Sequence, residues 1–312
     1  MISFILRKII SFLSFYYTNS KIVNLKKNKK IKKTIFNQLQ NINKTQVKNK
    51  NLKKTHINFN SKMLGLLKSN HLESFLRKDF IQKMFFLHNR LFVFYELLEL
   101  KKSKRWGLYK KLIEEDQIGD PIRYFLYLHS SGNRINHTYH LHVLSEQLDL
   151  NINKIKEVFE FGGGYGCMAR IFSKINNKIN YTIFDTEIVN LLQFYYLKSL
   201  NLDVNFNKNR IKLISKIEET TKKNKESLFI ANWSISEVPI SYRKKFLKEI
   251  TRREYFLISF QENFENINNL KYFQKMNNLL KKKYSCKILK NKFYKGNIFR
   301  KQNHYFFIGK KL

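Results

Sequence analysis

Residues 160–166 read Glu160-Phe161-Gly162-Gly163-Gly164-Tyr165-Gly166. The first two of them are also the end of a short, mostly apolar run, residues 158–161. Glycine is needed where a turn must reach positive φ, or where the backbone must approach a ligand without a Cβ in the way. An apolar helical pattern follows the glycines, so the segment predicts a strand, a tight turn and a helix. Such a turn is a common ligand-binding element of parallel sheets.

The sequence around this turn alternates between short strands and helices. The pattern predicts strands at residues 158–161, 181–184, 211–214, 228–231 and 255–260, and helices at 165–175, 188–200, 242–250 and 268–281. Residues 287–289 and 305–308 are expected to complete the sheet as an antiparallel pair. This alternation predicts an α/β fold for residues 151–312, a Rossmann-like doubly wound, mostly parallel sheet with helices on both faces.

Residues 61–150 lack the alternation of strands and helices, and their helical patterns predict an N-terminal helical cap subdomain. Apolar residues recur at three- and four-residue spacing from Leu72 onward. Asp120 followed by Pro121 predicts the start of a helix over residues 122–128. The glycine-containing triplet at residues 131–133 predicts a break, followed by a helix over 138–148.

The first 60 residues predict a basic arm, either poorly structured or amphipathic. Residues 1–72 contain sixteen Lys or Arg and no acid before Glu73. Residues 21–60 are rich in Lys and Asn without a sustained apolar period, which predicts a mostly solvated linker with room for a short helix. Residues 1–17 are apolar but interrupted by Arg7 and Lys8, which fits an interfacial amphipathic helix or a terminus packed on the body.

The formal net charge of the 312-residue chain is +37, which permits an anionic membrane surface, a nucleic acid or an acidic polymer as partner. Lys, Asn, Ile, Phe and Tyr are all abundant while Pro and Gly are scarce, so the codon bias of an AT-rich genome explains the charge equally well. The chain has two cysteines, Cys167 and Cys286, far apart and without a CxxC pair. We therefore expect no disulfide framework and no metal site, and a cytoplasmic location, with the membrane surface as an additional one.

The acid in the glycine segment indicates the kind of ligand. A dinucleotide site would have its third glycine at position 167, which is Cys167 here. Glu160 lies two residues before Gly162, and such an acid suits a cationic ligand better than a pyrophosphate. S-adenosylmethionine carries an ammonium and a sulfonium and no phosphate. Asp185 ends the next predicted strand, where an acid can accept both ribose hydroxyls or cap the following helix.

These segments resemble the class I S-adenosylmethionine-dependent methyltransferases, and within them the sugar O-methyltransferases of bacterial surface-polysaccharide clusters. The resemblance covers roughly residues 115–310 and depends on residues 119–121 (Gly-Asp-Pro), 160–166, 169–170 (Ala-Arg), 181–185 (Tyr-Thr-Ile-Phe-Asp), 192–197 (Leu-Gln-Phe-Tyr-Tyr-Leu) and 232–237 (Asn-Trp-Ser-Ile-Ser-Glu). The sequence departs from that pattern at Phe161, Cys167 and Thr186. The resemblance implies S-adenosylmethionine as cofactor and a sugar or glycan as acceptor.

Residues for the cofactor and for catalysis follow from these positions. We expect the cofactor to contact Glu160, Gly162, Gly164, Gly166, Asp185 and Asn232. A sugar hydroxyl is a poor nucleophile, so a general base is expected close to it. The candidates are Glu237, after the fourth predicted strand, then His140 and His137 at the start of the preceding helix.

Two other functions are compatible with the composition. A nucleic-acid methyltransferase could use the basic arm, but residues 232–235 read Asn-Trp-Ser-Ile where base methyltransferases commonly have Asn-Pro-Pro-Tyr. A non-catalytic, membrane-associated protein could retain a Rossmann core. The intact acid, glycine set and second acid argue against a degenerate core.

Overall fold

The computed structural model describes residues 25–46, 54–85, 87, 89–217, 225–294 and 302–312. The predicted apolar segment at residues 1–17 lies outside the described residues, as does part of the predicted basic arm. The remainder divides into a helical part and a sheet part that pack against each other.

Within the described residues, eight strands form one large sheet. They are β1 Glu157–Phe161, β2 Asn180–Phe184, β3 Val204–Phe206, β4 Ile211–Ile214, β5 Ser227–Asn232, β6 Tyr255–Gln261, β9 Tyr284–Lys290 and β10 His304–Lys311. A separate two-stranded pair contains β7 Asn263–Phe264 and β8 Ile267–Asn268. The order in the large sheet is β3-β4-β2-β1-β5-β6-β10-β9, and β10 runs antiparallel to both of its neighbours.

The strand order confirms the predicted Rossmann-like, doubly wound, mostly parallel sheet. The chain moves outward from β1 to β2 and then to β3 at the edge of the sheet, and β4 lies between β2 and β3. It then returns to pair β5 on the other side of β1. Ligands of such sheets bind at the carboxyl ends of the strands, at this change of direction. The glycine turn after β1 is therefore at the expected position.

Helices cover both faces of the sheet, as the alternating pattern predicted. The helices of the sheet part are α7 Cys167–Ile175, α8 Glu187–Ser199, α9 Ile240–Arg252 and α10 Asn269–Leu280. Successive residues of a strand point to opposite faces. Val158 packs with the core beneath α7 and α8, while Phe159 packs with the core beneath α9 and α10.

The N-terminal part is helical, as predicted. Its helices are α1 Leu25–Gln46, α2 Lys54–Lys68, α3 Asp79–Phe85, α4 Leu91–Lys102, α5 Trp106–Ile113 and α6 Gly132–Leu148, with a 3-10 helix at Asn70–Arg77. No helix in the described part of the chain is both long and apolar enough to cross a membrane.

The prediction of a mostly solvated linker is wrong for residues 25–46. These residues form α1, which packs on α8 and buries Ile31, Ile35, Leu39 and Ile42. The four residues lie on one stripe of the helix, at about one per turn. The surrounding lysines hide this narrow stripe in the sequence. Helix α2 begins at Lys54 and thus crosses the predicted boundary at residue 60.

Two local predictions between the helical part and the sheet are also wrong. Residues 122–128 form turns and no helix. Asp120 adopts a positive φ of 52° and binds Arg77 through both carboxylate oxygens, at 3.0 and 3.1 Å, so it does not cap a helix. Residues 131–133 do not form a break before the helix either. They begin α6, and Ser131 caps this helix by accepting a hydrogen bond from the Arg134 backbone N–H at 3.1 Å.

A buried ion cluster anchors α6 to the sheet part. The Arg134 guanidinium is fully buried and donates to Glu115 at 2.7 Å, Asp116 at 2.9 Å and the Tyr196 hydroxyl of α8 at 2.8 Å. Arg170 of α7 binds Asp116 at 2.7 and 2.9 Å. Removing one member would leave a buried charge unpaired, which is strongly destabilising. The cluster therefore fixes α6 relative to the end of the sheet.

Candidate functional site

The glycine turn after β1 has the positive φ values that its sequence predicted. Gly162 and Gly164 adopt positive φ values of 71° and 55°. A Cβ on Gly162 would lie 2.9 Å from the Ser234 Oγ and closer still to its Cβ, so this position also lacks space. Ser234 follows β5 and donates a hydrogen bond to the Phe161 carbonyl. The glycine turn and the segment after β5 are thus in direct contact.

Glu160 is the second-last residue of β1, and its buried side chain lies against the turn. Its Oε2 accepts a hydrogen bond from the Tyr181 hydroxyl of β2 at 2.8 Å. A Cβ built on Gly163 would lie 3.0 Å from this same oxygen. Burial raises the pKa of Glu160 to about 8, opposed by the Tyr181 hydrogen bond and reinforced by the charge of Asp185.

Asp185 follows β2 and is tied to the glycine turn through Gln193 of α8. The Gln193 amide donates to the Asp185 Oδ2 at 3.0 Å and to the Gly164 carbonyl at 3.0 Å. The Thr186 backbone N–H donates to the Asp185 Oδ1 at 2.8 Å. Burial raises the pKa of Asp185 to about 7, although these donors oppose the shift.

The two carboxylates share an unusual electrostatic setting. Within the described residues, neither Glu160 nor Asp185 forms an ion pair with a Lys, Arg or His. Most buried carboxylates elsewhere in the described residues do have such partners, as Glu157 does with Arg253 at 2.8 Å. Glu96 is an exception, because its oxygens accept hydrogen bonds from the Asn136 amide at 3.0 Å. A buried Glu160 and a half-buried Asp185, both without a cation beside a glycine turn, suit a ligand that brings positive charge. They disfavour a pyrophosphate for the same reason.

The helical part reaches over the glycine turn. Phe85, the last residue of α3, has the atoms nearest to a Cβ built on Gly164, at 3.6 Å. The Asn133 side chain of α6 accepts a hydrogen bond from the Leu87 backbone N–H at 3.2 Å and donates to the Tyr165 hydroxyl at 3.2 Å. The helical part thus forms one side of the site.

His140 of α6 and Asn232 at the end of β5 form a hydrogen bond of 2.9 Å between Nδ1 and Oδ1. An amide oxygen only accepts, so the imidazole must carry its proton on Nδ1 and keep the lone pair on Nε2. Ser259 also donates to the same amide oxygen, at 3.2 Å. Burial lowers the pKa of His140 to about 3, so its imidazole is neutral at neutral pH.

Two further histidines and Trp233 surround this pair. The His137 and His140 rings lie 6.1 Å apart, and His137 Nδ1 donates to the Asn133 carbonyl at 2.9 Å. Trp233 contacts His140 and His304 edge-on, with ring centroids 5.7 Å from each. Trp233 also adopts a positive φ of 60°, a strained conformation that concentrates at functional sites. Among the described residues, no three metal-ligating side chains converge on a possible ion site.

Glu237 lies at the same edge of the sheet but with different partners. It ends a 3-10 helix, Ser234–Glu237, and its side chain accepts a hydrogen bond from Gln261 at 3.2 Å. Its hydrogen bonds to described residues do not include the histidines. Partial burial raises the pKa of Glu237, which the Gln261 hydrogen bond opposes.

The structure therefore brings most of the predicted site residues to one edge. Glu160, Gly162, Gly164 and Asp185 lie together around the glycine turn, and Gly166 ends that turn as the residue before α7. The contact between Ser234 and Gly162 links this group to Asn232 and His140. Sequence reasoning missed the roles of Gln193, Tyr181 and Ser234. Gln193 lies in the segment 192–197 that carried the family resemblance, which was the available signal.

Comparisons with known proteins return methyltransferase structures of low similarity. A METTL16 methyltransferase domain matches at 10% identity over 55% of this chain and 65% of that structure, with a TM-score of 0.38. A bacterial Hen1 methyltransferase domain matches at 15% identity over 55% of this chain and 95% of that structure, with a TM-score of 0.39. Phosphoethanolamine N-methyltransferase 2 of Haemonchus contortus matches at 11% identity over 68% of this chain and 59% of that structure, with a TM-score of 0.41.

No protein-family model matches the chain, and no curated protein matches it. The chain spans less than two thirds of the METTL16 and Haemonchus structures. At these TM-scores no substrate and no residue role passes from these proteins to this chain.

Proposed function

We propose that this protein is an S-adenosylmethionine-dependent O-methyltransferase whose acceptor is a sugar or polysaccharide precursor. The observation that carries the proposal is the pair of carboxylates beside the glycine turn, the buried Glu160 and the half-buried Asp185, which have no cationic partner among the described residues. A ligand with a positive charge and ribose hydroxyls meets both needs.

The residues of the turn fit this cofactor. Glu160 and the turn around Gly162 and Gly164 would hold its cationic amino-acid end, and Asp185 would accept its ribose hydroxyls. Gln193 orients the Asp185 carboxylate toward the turn through two hydrogen bonds of 3.0 Å. When bound, the cofactor would supply an electrophilic methyl group: the acceptor oxygen would form a bond to that carbon in line as the carbon–sulfur bond breaks, with S-adenosylhomocysteine as the leaving group.

His140 is the base that the geometry favours. Its Nδ1–H is fixed by Asn232, so Nε2 is the atom available to take the proton of the acceptor hydroxyl. Its lowered pKa makes it a weak base, but an oxygen that is gaining a methyl group becomes strongly acidic. Asn232 is then a positioning residue for His140, and Glu237 acts at the rim of the site.

Exchange of His140 tests this assignment. His140→Asn should lower turnover about 10²–10⁴-fold, the usual contribution of a general base, while S-adenosylhomocysteine binds with nearly unchanged affinity. His71→Asn, an exposed histidine of the 3-10 helix, is the matched control and should retain activity. If Glu237→Gln causes the large loss and His140→Asn does not, then Glu237 is the base.

The acceptor class is tested with a panel of substrates. The aromatic rings of Trp233 and Phe306 flank His140, with ring centroids 5.7 and 4.9 Å away, which suits the apolar face of a sugar ring. Purified protein with S-adenosylmethionine should methylate sugar nucleotides or oligosaccharides, detected by mass spectrometry as one added methyl group. Methylation of transfer RNA in place of every sugar would overturn the acceptor class and leave the cofactor proposal standing.

The basic N-terminus adds a second proposal, that the protein associates with anionic membrane surfaces. Sixteen Lys or Arg precede the first acid, Glu73, and each basic residue near such a surface contributes about 1 kcal/mol. Full-length protein should sediment with acidic liposomes and be released by salt. Lys29, Lys30 and Lys33 are exposed on α1, so the variant Lys29→Gln, Lys30→Gln, Lys33→Gln should sediment less than the wild type. Equal sedimentation of this variant and the wild type would contradict a role for the basic residues.

A further inference from the structure

Two large apolar side chains lie at the tip of a tight surface turn before α6. Phe125 and Leu126 are the central residues of this turn, which is closed by a hydrogen bond of 2.9 Å from the Tyr127 backbone N–H to the Tyr124 carbonyl. The two residues are 51% and 43% exposed. Such positions are normally occupied by Gly, Pro, Asn, Asp or Ser. The requirements of the turn therefore do not explain an exposed apolar pair at its tip.

Leu91, the first residue of α4, lies beside this turn and is 68% exposed. The Asn89 side chain joins the two segments by accepting a hydrogen bond from the Phe125 backbone N–H at 2.7 Å. The Tyr124 hydroxyl adds a second link by donating to the Arg90 carbonyl at 3.1 Å. The turn is thus fixed against the start of α4. We call the three exposed side chains that meet here, Leu91, Phe125 and Leu126, the apolar corner.

The apolar surface continues along α4. Tyr95 follows Leu91 by four residues, so the two side chains lie on the same side of the helix, and Tyr95 is 45% exposed. Single exposed apolar residues are normal on a protein surface, whereas a contiguous group marks an interaction site. The group here comes from two segments that hydrogen bonds hold together, so its shape is set before any partner binds.

The surroundings of the apolar corner are basic. The exposed charged residues of segment 89–102 are Arg90, Lys101 and Lys102. The two acids of this segment are withdrawn from the surface, because Glu96 is buried and Glu99 binds Lys292 at 2.8 Å. An anionic partner therefore meets apolar and cationic groups side by side.

One exposed acid, Glu114, lies near the far end of the turn, beside Tyr127. The Lys101 ammonium lies 5.3 Å from the centroid of the same Tyr127 ring, so a cation accompanies this acid. The charge of the whole face remains positive. A second copy of this chain would bring the same positive charge to the contact, where like charges repel. An anionic bilayer has the opposite charge and an apolar interior, so it matches both features of the face.

We propose that the apolar corner inserts into the headgroup region of an anionic bilayer, with Tyr95 at the same depth and the surrounding basic residues on the lipid phosphates. The inference rests on the proposed membrane association and assigns it to a defined face of the folded helical part. Phe85, six residues before Leu91, lies against the glycine turn. Docking through this face would therefore hold the candidate site close to the bilayer.

Sedimentation with vesicles tests the proposal. The full-length protein should bind vesicles of phosphatidylglycerol mixed with phosphatidylcholine more tightly than vesicles of phosphatidylcholine alone. The triple variant Leu91→Ser, Phe125→Ser, Leu126→Ser should weaken this binding at least about tenfold, the ratio that corresponds to 1.4 kcal/mol. All three side chains are exposed, so the variant should fold and bind S-adenosylhomocysteine as the wild type does.

A second triple variant is the matched control. Ile240→Ser, Leu279→Ser, Leu312→Ser removes three exposed apolar side chains from other elements and should leave vesicle binding unchanged. Equal weakening in both variants would overturn the proposal in favour of general loss of surface hydrophobicity. Equal binding of the wild type to both kinds of vesicle would overturn the anionic part. A dimer that the apolar-corner variant abolishes, without vesicle binding, would assign the face to a second copy of the chain.

The lysine variant of α1 separates this proposal from the one on which it rests. Wild-type vesicle binding by the apolar-corner variant, with a loss in the lysine variant, would overturn the present inference and leave the role of the basic N-terminus standing. The reverse result would support the apolar corner and contradict the basic N-terminus. A wild-type protein that binds no vesicles would overturn both, and the cofactor proposal would be unaffected by any of these results.

Discussion

Exchange of Gly164 for alanine separates folding from ligand binding at the glycine turn. The new Cβ would meet only Phe85, at 3.6 Å, which is ordinary van der Waals contact. The cost to folding therefore comes from the backbone, because a φ of 55° is about 1–2 kcal/mol less favourable for alanine than for glycine. The Cβ would also stand where the turn approaches its ligand, so affinity for S-adenosylhomocysteine should fall at least about tenfold.

Gly162→Ala should behave differently at the same turn. It has the same backbone cost at a φ of 71°, and its Cβ would in addition overlap Ser234. Overpacking of this kind adds about 1–3 kcal/mol, so the free energy of unfolding should fall by roughly 2–5 kcal/mol in total. Gly65→Ala is the control, because its Cβ in helix α2 would meet no atom within 4 Å.

Urea denaturation of the three variants gives the free energy of unfolding, and calorimetric titration gives the affinity for S-adenosylhomocysteine. Gly65→Ala should raise the free energy of unfolding slightly, by about 0.4–1 kcal/mol, and keep its affinity. Two results would refute the reasoning. Wild-type affinity in Gly164→Ala would mean that the turn does not face the cofactor. A loss of stability in Gly164→Ala as large as that in Gly162→Ala would mean that the space around the two glycines is not as described.

Two other outcomes are expected. The pKa values of Glu160 and Asp185, raised by burial to about 8 and 7, fall when a cation binds, so S-adenosylmethionine binding should release protons at pH 7. Affinity should therefore rise between pH 6 and pH 8, by up to about tenfold per pH unit for each coupled proton, and calorimetry in buffers of different ionisation enthalpy should detect the release. The stability of the ligand-free protein should change with pH in the opposite direction from the affinity. Because the pKa of Glu160 is raised by folding, this group favours the folded state at low pH, and its contribution to the free energy of unfolding is lost as the pH rises through about 8. Ile35 lies in the stripe that α1 buries on α8, so Ile35→Ala should lower the free energy of unfolding by about 2–5 kcal/mol. Phe36→Ala, at the exposed neighbouring position, should change it by less than about 0.5 kcal/mol. Equal effects of the two exchanges would mean that α1 does not pack on α8.

The sheet was predictable because local patterns encode it. Strands β1, β2, β5 and β6 are buried at nearly every position, and each contains at least two consecutive apolar residues, which is typical of strands covered on both faces. Strand β3, Val204–Phe206, was missed because three residues are too few to establish a pattern. The pair of strands after β6 was missed for the same reason.

The errors in the helical part have tertiary causes. Residues 31–42 contain an apolar stripe of one residue per turn, and only the surface of α8 makes that stripe a buried one. Asp120 followed by Pro121 has the composition of a helix start, but the ion pair with Arg77, 43 residues earlier, keeps Asp120 in a turn. No feature of the sequence next to Asp120 indicates that Arg77 is its partner.

The candidate site was predictable in its parts and not in its connections. The positions of Glu160, the glycines and Asp185 follow from strand ends and turn chemistry. The hydrogen bond between His140 and Asn232 joins residues 92 positions apart, so no local pattern predicts it. It changes the expectation for catalysis, because it leaves the Nε2 of His140 as the available base while Glu237 is bound to Gln261.

Calorimetric titration of the full-length protein with S-adenosylmethionine, S-adenosylhomocysteine and NAD tests the central claim most directly. Glu160 and Asp185 lack a cationic partner among the described residues, and Cys167 occupies the position where a dinucleotide site has glycine. The protein should therefore bind one molecule of either sulfur compound at the glycine turn and give no heat with NAD at that site. Tight binding of NAD, with no heat from S-adenosylmethionine or S-adenosylhomocysteine, would contradict the account.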